Sequence, residues 1–112
     1  LLETEILESL EMLYSELVKM NESQENLPKT MEYLSREKEN LEQLIELSNK
    51  IEKYDKQKDY YDRLFGVFLK IAELNYKKGN YEETIEYLQT LNDKIEFNNT
   101  ENSTVIIFNS DV

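Results

Sequence analysis

The fold is decided between Phe65 and Leu88, where the sequence reads FGVFLKIAELNYKKGNYEETIEYL. Apolar side chains recur in its first half at helical spacing, and two lysines followed by Gly79 close that half. Lysines suit the carbonyl end of a helix, and glycine adopts the left-handed conformation that ends one. Asn80 is a natural cap for a second helix, whose first turn holds two glutamates. The stretch therefore predicts two helices joined by a tight turn at Gly79.

The same spacing of apolar residues continues on both sides of this stretch and predicts an all-α protein. Pro28 separates two helices upstream, because proline disfavours a helical residue before it and suits the first turn after it. Residues 35–40 are all polar, but they are good helix formers without glycine or proline, so we expect them to be helical. The predicted fold consists of antiparallel helical hairpins. Its four helices are expected near residues 2–25, 28–55, 59–78 and 81–97.

Each predicted helix has an apolar stripe, and we expect these stripes to form the core. In the first helix the apolar residues follow one another at alternating steps of four and three. The polar residues 35–40 belong to a segment with balanced charges, which is expected to be a solvated face. The expected core consists of Ile6, Leu10, Leu13, Leu17, Leu34, Leu41, Ile45, Leu64, Phe68, Ile71, Ala72, Ile85, Leu88 and Ile95.

Composition narrows the classes of function. The 112 residues include no cysteine and no histidine, so the chain lacks disulfides, thiolate ligands and the most frequent general base. Two glycines and one proline leave no glycine-rich phosphate loop. We therefore predict a protein that is not an enzyme, with no catalytic residues, no metal and no cofactor. The net charge of −11 opposes binding to nucleic acid, and no apolar run is long enough to cross a membrane.

Length and segmentation predict one helical domain, residues 1–97, in a cytoplasmic protein. Residues 98–112 are expected to be a flexible tail whose apolar run, Val105 to Phe108, docks on an apolar surface. The first residues have neither an initiator methionine nor the composition of a signal peptide, and they already follow a helical pattern. We expect the chain to be a trimmed piece of a longer protein.

The segment from Phe68 to Leu88 resembles a tetratricopeptide repeat (TPR), a unit of 34 residues built as a helix–turn–helix. A small residue, Ala72, and a short one, Thr84, stand where the two helices of such a repeat approach each other closely. The resemblance implies a helix pair over residues 65–98, within a fragment of an α-solenoid. The residues that match the motif are Phe68, Ala72, Gly79, Tyr81, Thr84 and Ile85.

Other positions depart from the family pattern. Asn75 replaces a frequent aromatic residue, Leu91 replaces a small one, and Glu96 stands where proline is common. No second repeat occurs 34 residues upstream: Leu34 aligns with Phe68, but charged or bulky residues occupy the other motif positions. The first two helices are therefore either a degenerate pair or a separate helical element. In both cases stacking is required, because one repeat cannot bury its own apolar face.

The resemblance implies a protein-interaction module that binds a protein or peptide partner, as part of a larger protein or complex. In TPR proteins the first helix of each pair lines a concave groove. Leu69 and Glu73 break the basic and amide pattern with which some members grip a C-terminal carboxylate, so that activity is not expected here. The residues that the resemblance places toward a partner are Leu69, Lys70, Glu73, Tyr76 and Lys77.

The alternative is a structural subunit of a helical bundle or coiled coil that mediates oligomerisation, including homo-oligomerisation. The first helix favours it, although its three–four spacing from Ile6 to Met20 spans barely two heptads. Charge bears on both functions, since residues 1–26 carry −6 and residues 80–97 carry −4. We expect a partner with a basic or neutral contact surface, and neither nucleic acid nor a membrane.

Overall fold

The computed structural model describes residues 1–98, with side chains to Ile95. Its helices, in chain order, are α1 (Leu2–Ser23), α2 (Leu27–Lys50), α3 (Gln57–Lys77) and α4 (Tyr81–Asn98). No strand occurs among these residues, which confirms the predicted all-α class. The helix bounds lie close to the prediction except at the end of α2, which stops at Lys50 rather than near residue 55. The predicted apolar run Val105 to Phe108 lies outside the described residues.

The chain forms two compact units, Leu1–Val67 and the part that begins at Phe68. The boundary between them falls inside α3. The first unit therefore contains α1, α2 and the first half of α3, and the second contains the other half of α3 with α4.

Three of the helices end in the same backbone motif, in which a residue with positive φ follows the last turn. At the end of α3, Gly79 has φ 82°, its N–H donates to the Tyr76 carbonyl at 3.0 Å, and the Asn80 N–H donates to the Asn75 carbonyl at 2.9 Å. This is a Schellman turn, and it confirms the predicted role of Gly79. Glu25 (φ 55°) and Glu52 (φ 56°) occupy the equivalent positions after α1 and α2.

In the first unit, α1 and α2 form an antiparallel hairpin. The Asn26 side chain accepts a hydrogen bond from the Lys29 backbone N–H at 3.3 Å and caps α2, and Pro28 lies in the first turn as predicted. Halfway along the pair, the buried Asn40 amide donates to the Leu7 carbonyl at 2.7 Å. This bond joins residues 33 positions apart and sets the register of the two helices.

The polar stretch of α2 is helical, as predicted, but only part of it is solvated: Arg36 and Glu39 are exposed. Glu37 and Asn40 are buried, together with Leu34, Leu41 and Leu44. The reason is geometric. Each of these five residues is three or four positions from another of them, so all five lie on one side of the helix. The side that packs in the hairpin therefore includes an acid and an amide.

The expected core is wrong for α1. Ile6 and Leu13 are exposed, Leu10 and Leu17 are half-buried, and the adjacent side of the helix is buried instead. On that side, Glu11 lies beside Glu37 of α2, and the Leu7 carbonyl accepts a hydrogen bond from Asn40 of α2. The buried residues of α1 are Leu7, Glu11, Val18 and Asn21.

In the second unit, α3 and α4 form another antiparallel hairpin. Ala72 and Thr84 are both buried, and the Thr84 hydroxyl oxygen lies 3.4 Å from the Ala72 carbonyl oxygen while it donates to the Asn80 carbonyl at 2.8 Å. The Phe68 and Tyr87 rings pack with centroids 5.8 Å apart. The two short side chains therefore lie where the backbones approach each other.

The core prediction is confirmed for Phe68, Ile71, Ala72 and Ile95 but not for two residues of α4. Ile85 is exposed and Leu88 is only half-buried, because α4 turns Thr84, Leu91 and Ile95 inward. The small Thr84 side chain permits the close contact with Ala72, and this contact selects the side of α4 that is buried. In the first unit, the core predictions Leu34, Leu41, Ile45 and Leu64 are confirmed.

Candidate protein-binding surfaces

Three surfaces of the described residues stand out by their exposed apolar or charged side chains. Within residues 1–98, no group of three or more acidic side chains is placed to hold a metal ion. Among the helices of the same residues, none has the length of apolar sequence that a membrane crossing requires.

The residues that the TPR resemblance places toward a partner share one side of α3. Glu73, Tyr76 and Lys77 are exposed, whereas Leu69 and Lys70 are half-buried. The spacing of these residues brings them together along two turns of the helix. They form a mixed polar and aromatic surface that begins in the interior of α3 and ends at its last turn.

The motif residues of the hairpin divide into a buried and an exposed group. Phe68, Ala72 and Thr84 are buried, and Gly79 makes the turn, but Tyr81 and Ile85 are exposed. The Tyr81 ring packs against Tyr76 with centroids 5.6 Å apart. Ile85, one turn further along α4, follows Tyr81 on the same side. We call Tyr76, Tyr81 and Ile85 the tyrosine cluster, an exposed apolar patch near the turn of the second unit.

The second surface is the apolar stripe of α1, which the sequence analysis assigned to the core. Ile6, Leu13 and Met20 are 51 %, 58 % and 53 % exposed, and each is seven residues from the next. The half-buried Leu10 and Leu17 lie between them. These five residues, which we call the α1 seam, occupy the a and d positions of a heptad pattern. The three–four spacing identified the stripe, but it could not show that the stripe faces outward.

The third surface is an acidic cleft of about 680 Å³ between α1 and the segment that leads from α2 into α3. Two basic residues, Lys56 and Arg63, lie among its acids. The acidic residues that line it are Glu5, Glu8, Glu11, Asp55 and Asp59.

Glu8 connects α1 to α3 at this cleft. The Tyr60 hydroxyl donates to Glu8 Oε2 at 2.7 Å, and Lys56 Nζ donates to the same oxygen at 3.1 Å. The hydrogen bond from Tyr60, with the charge of Lys56, holds the pKa of Glu8 below its usual value. Burial raises the pKa of the Tyr60 phenol, and the Glu8 carboxylate raises it further. Glu8 is therefore an ionised acceptor that joins the two helices.

Glu11 behaves in the opposite way. Its side chain is buried beside the buried Glu37 of α2, and Oε1 of Glu11 has no hydrogen-bond partner of good geometry. Burial, and then the adjacent Glu37 carboxyl, raise the pKa of Glu11 to about 9. Arg63 Nη1 lies 3.7 Å from Glu11 Oε2, but Arg63 is half exposed and also pairs with Asp59 at 3.2 Å. Desolvation outweighs that attraction and favours the protonated form of Glu11.

Comparison of this chain with family models, with curated proteins and with solved structures gave no match. The resemblance to TPR proteins therefore depends on the residues between Phe68 and Leu88 themselves. Sequence reasoning assigned Ile6, Leu10, Leu13 and Leu17 to the core, although its alternative function paired the first helix with another chain, and it missed the buried acids. The spacing of Glu37 and Asn40, at the apolar interval between Leu34 and Leu44, was the signal for the buried polar side of α2.

Proposed function

We propose that the chain is a non-enzymatic protein-interaction module, with a TPR-like hairpin at residues 65–98, that binds a helical or peptide partner. The α1 seam is the observation that carries this proposal. Three large apolar side chains at heptad spacing are more than half exposed on a helix whose adjacent side is packed against α2. A seam of this kind is the usual contact surface between helices of different chains.

The size of the seam supports binding. With Leu2, which is also exposed, its side chains present about 400–500 Å² of apolar surface, which is as large as the largest apolar patches of soluble monomers. Covering that area is worth about 10 kcal/mol before the costs of association. Those costs are about 4–15 kcal/mol, so the seam supplies much of the driving force but needs further contacts for a tight complex.

The tyrosine cluster supports a second contact, of the TPR type. Tyr76 lies on the side of α3 that the resemblance assigns to the groove, and Tyr81 extends the aromatic surface onto α4. Tyrosine is enriched at interaction sites, because its ring offers contact area and its hydroxyl a hydrogen bond. We propose that a peptide segment of a partner binds along Glu73, Tyr76 and Lys77.

Affinity capture with matched variants tests the proposal. The bait is the full chain, compared with Leu13→Ser in the α1 seam and with Tyr54→Ser, a residue of similar exposure outside both the seam and the acidic cleft. We expect to identify partners that bind the unchanged chain and Tyr54→Ser but do not bind Leu13→Ser. An identical set of captured proteins with all three baits would show that the seam is not a binding surface. Tyr76→Ala tests the second contact in the same way.

The α1 seam also favours the alternative, a bundle or coiled-coil subunit that mediates oligomerisation. Sedimentation equilibrium separates the two functions. A monomer of 13.4 kDa at all concentrations supports the module. A dimer that Leu13→Ser dissociates and Tyr54→Ser does not would support the oligomerisation subunit.

A further inference from the structure

We propose that the partner of the α1 seam is an amphipathic helix of another protein, with apolar residues at heptad spacing and lysine or arginine along one edge. This inference rests on the proposed function and names the chemistry of the partner. It follows from the shape of the seam, from the charges beside it and from the position of the acidic cleft.

The spacing of the seam matches a helix. Ile6 and Met20 are 14 residues apart, which is about 21 Å along α1, with one exposed apolar residue between them at the midpoint. A partner helix with apolar residues every seven positions reproduces this repeat, and its side chains fit between those of the seam. Leu10 and Leu17, half-buried, form the sides of the holes that such side chains would enter.

The border of the seam is acidic. Glu16 is exposed and lies one turn from both Leu13 and Met20, and Glu5 is exposed on the same side of the helix further toward its start. Only one basic residue, Lys19, lies on α1, and it is already within 3.7 Å of Glu16. Basic residues along the matching edge of a partner helix would lie beside carboxylates along the length of α1.

The acidic cleft extends this border. Ser9 lines the cleft and lies one turn from both Ile6 and Leu13, so the cleft opens beside the seam. Asp55 and Asp59 form its far side, on the segment that leads into α3. Glu8 and Asp59 already pair with Lys56 and Arg63, so a long basic side chain on the partner would be attracted chiefly to the other carboxylates of the cleft, Glu5 and Asp55.

The same charges argue against a second copy of this chain as the occupant. Residues 1–26 contain seven glutamates and one lysine, so two α1 helices in contact would place like charges along both edges. Like charges at the edges of a coiled coil disfavour the pairing. A basic edge removes this repulsion and replaces it with attraction.

The test uses two synthetic helices with leucine and isoleucine at the a and d positions, one with lysine and one with glutamate at the edges. Binding of each to the full chain is measured by fluorescence anisotropy at salt concentrations of about 0.05 M and about 0.15 M. We expect saturable binding of the lysine peptide, weakening with salt, and binding of the glutamate peptide at least about tenfold weaker.

Two pairs of variants locate the contact. Ile6→Ser in the seam is matched by Tyr54→Ser, which lies outside both the seam and the acidic cleft, since both residues are about half exposed, at 51 % and 55 %. We expect Ile6→Ser to weaken binding of the lysine peptide about tenfold and Tyr54→Ser to leave it unchanged. Glu16→Lys should weaken binding of the lysine peptide and strengthen binding of the glutamate peptide. Glu46→Lys, on the exposed side of α2, should change neither. Circular dichroism checks that each variant remains helical.

Several outcomes overturn the inference. If both peptides bind equally well, the partner does not need a basic edge. If neither peptide binds, the partner is not a helix of this kind. A chain dimer that Ile6→Ser dissociates makes a second copy the occupant instead. The proposed function is judged separately, because proteins captured through Leu13 would stand even if neither peptide binds.

Discussion

The buried acid pair makes a pH-dependent prediction about stability. Glu11 is only 3 % exposed and Glu37 6 %, and the pKa of Glu11 rises from 4.5 to about 9. Between these two pH values the folded chain holds a proton on Glu11 that the unfolded chain has released. The free energy of unfolding therefore falls as pH rises through this window, and the contribution of the protonated form is lost above pH 9. We predict that Glu11→Gln stabilises the protein at pH 8 and has little effect at pH 5.

The magnitude follows from the size of the pKa change. A change of one unit corresponds to about 1.4 kcal/mol, so the full window from 4.5 to about 9 sets an upper bound of about 6 kcal/mol. Arg63, 3.7 Å from Glu11 and itself half exposed, offsets part of this cost. We therefore expect Glu11→Gln to add about 1–2 kcal/mol at pH 8, since the glutamine is neutral, has nearly the same shape and can donate a hydrogen bond to Glu37.

Urea unfolding followed by far-ultraviolet circular dichroism, from pH 5 to pH 9 at constant ionic strength, measures this effect. The matched control is Glu16→Gln, because the Glu16 side chain is 66 % exposed on the same helix. The free energy of unfolding of Glu16→Gln should differ little from that of the parent chain, and the difference should not depend on pH. A loss of stability in Glu11→Gln at pH 8 would refute the reasoning, since it would mean that Glu11 is ionised and paired with Arg63.

Three further predictions follow from particular contacts. Glu52→Gly should raise the free energy of unfolding by about 0.5–1 kcal/mol, because glycine adopts φ 56° without strain; a urea titration in which the variant is less stable than the parent chain would contradict this. Ala72→Leu should lower the free energy of unfolding by about 1–3 kcal/mol, because Thr84 is in contact with the Ala72 backbone and leaves no room for a larger side chain. An unchanged melting temperature would mean that α3 and α4 do not approach closely there. Tyr60→Phe should raise the pKa of Glu8, because it removes the hydrogen bond of 2.7 Å that is the main cause of the lowered value. Carboxyl NMR titration measures this shift, and an unaltered Glu8 midpoint would show that Lys56 alone sets it.

Much of the secondary structure can be predicted from the sequence, because the signals that start and end helices are local. Gly79 ends α3 through a positive φ that glycine adopts without strain, and Pro28 marks the first turn of α2. The end of α2 was the least accurate bound. There, Glu52 takes the left-handed position that glycine takes after α3, and a glutamate at that position is not a recognised stop.

The candidate surfaces likewise combine features that the sequence shows with one that it does not. The α1 seam is present in the sequence as a heptad pattern, and the aromatic and small residues of the α3–α4 hairpin are present as a motif. The sequence does not show, however, in which direction the seam faces. Periodicity shows that a helix has an apolar side, but α1 also has Leu7 and Val18 on a second side, and a local pattern cannot rank the two.

Tertiary structure decides between these sides through contacts that are distant in the sequence. The Asn40 amide donates to the Leu7 carbonyl across 33 positions, and Glu37 places its carboxyl beside Glu11 in the same interface. The Asn40 amide, once buried, requires an acceptor, and the Leu7 carbonyl provides one, so this contact favours burial of the Leu7 side of α1. The sequence alone thus determined four helices and their apolar stripes, whereas the packing of α1 against α2 decided which stripe was left exposed.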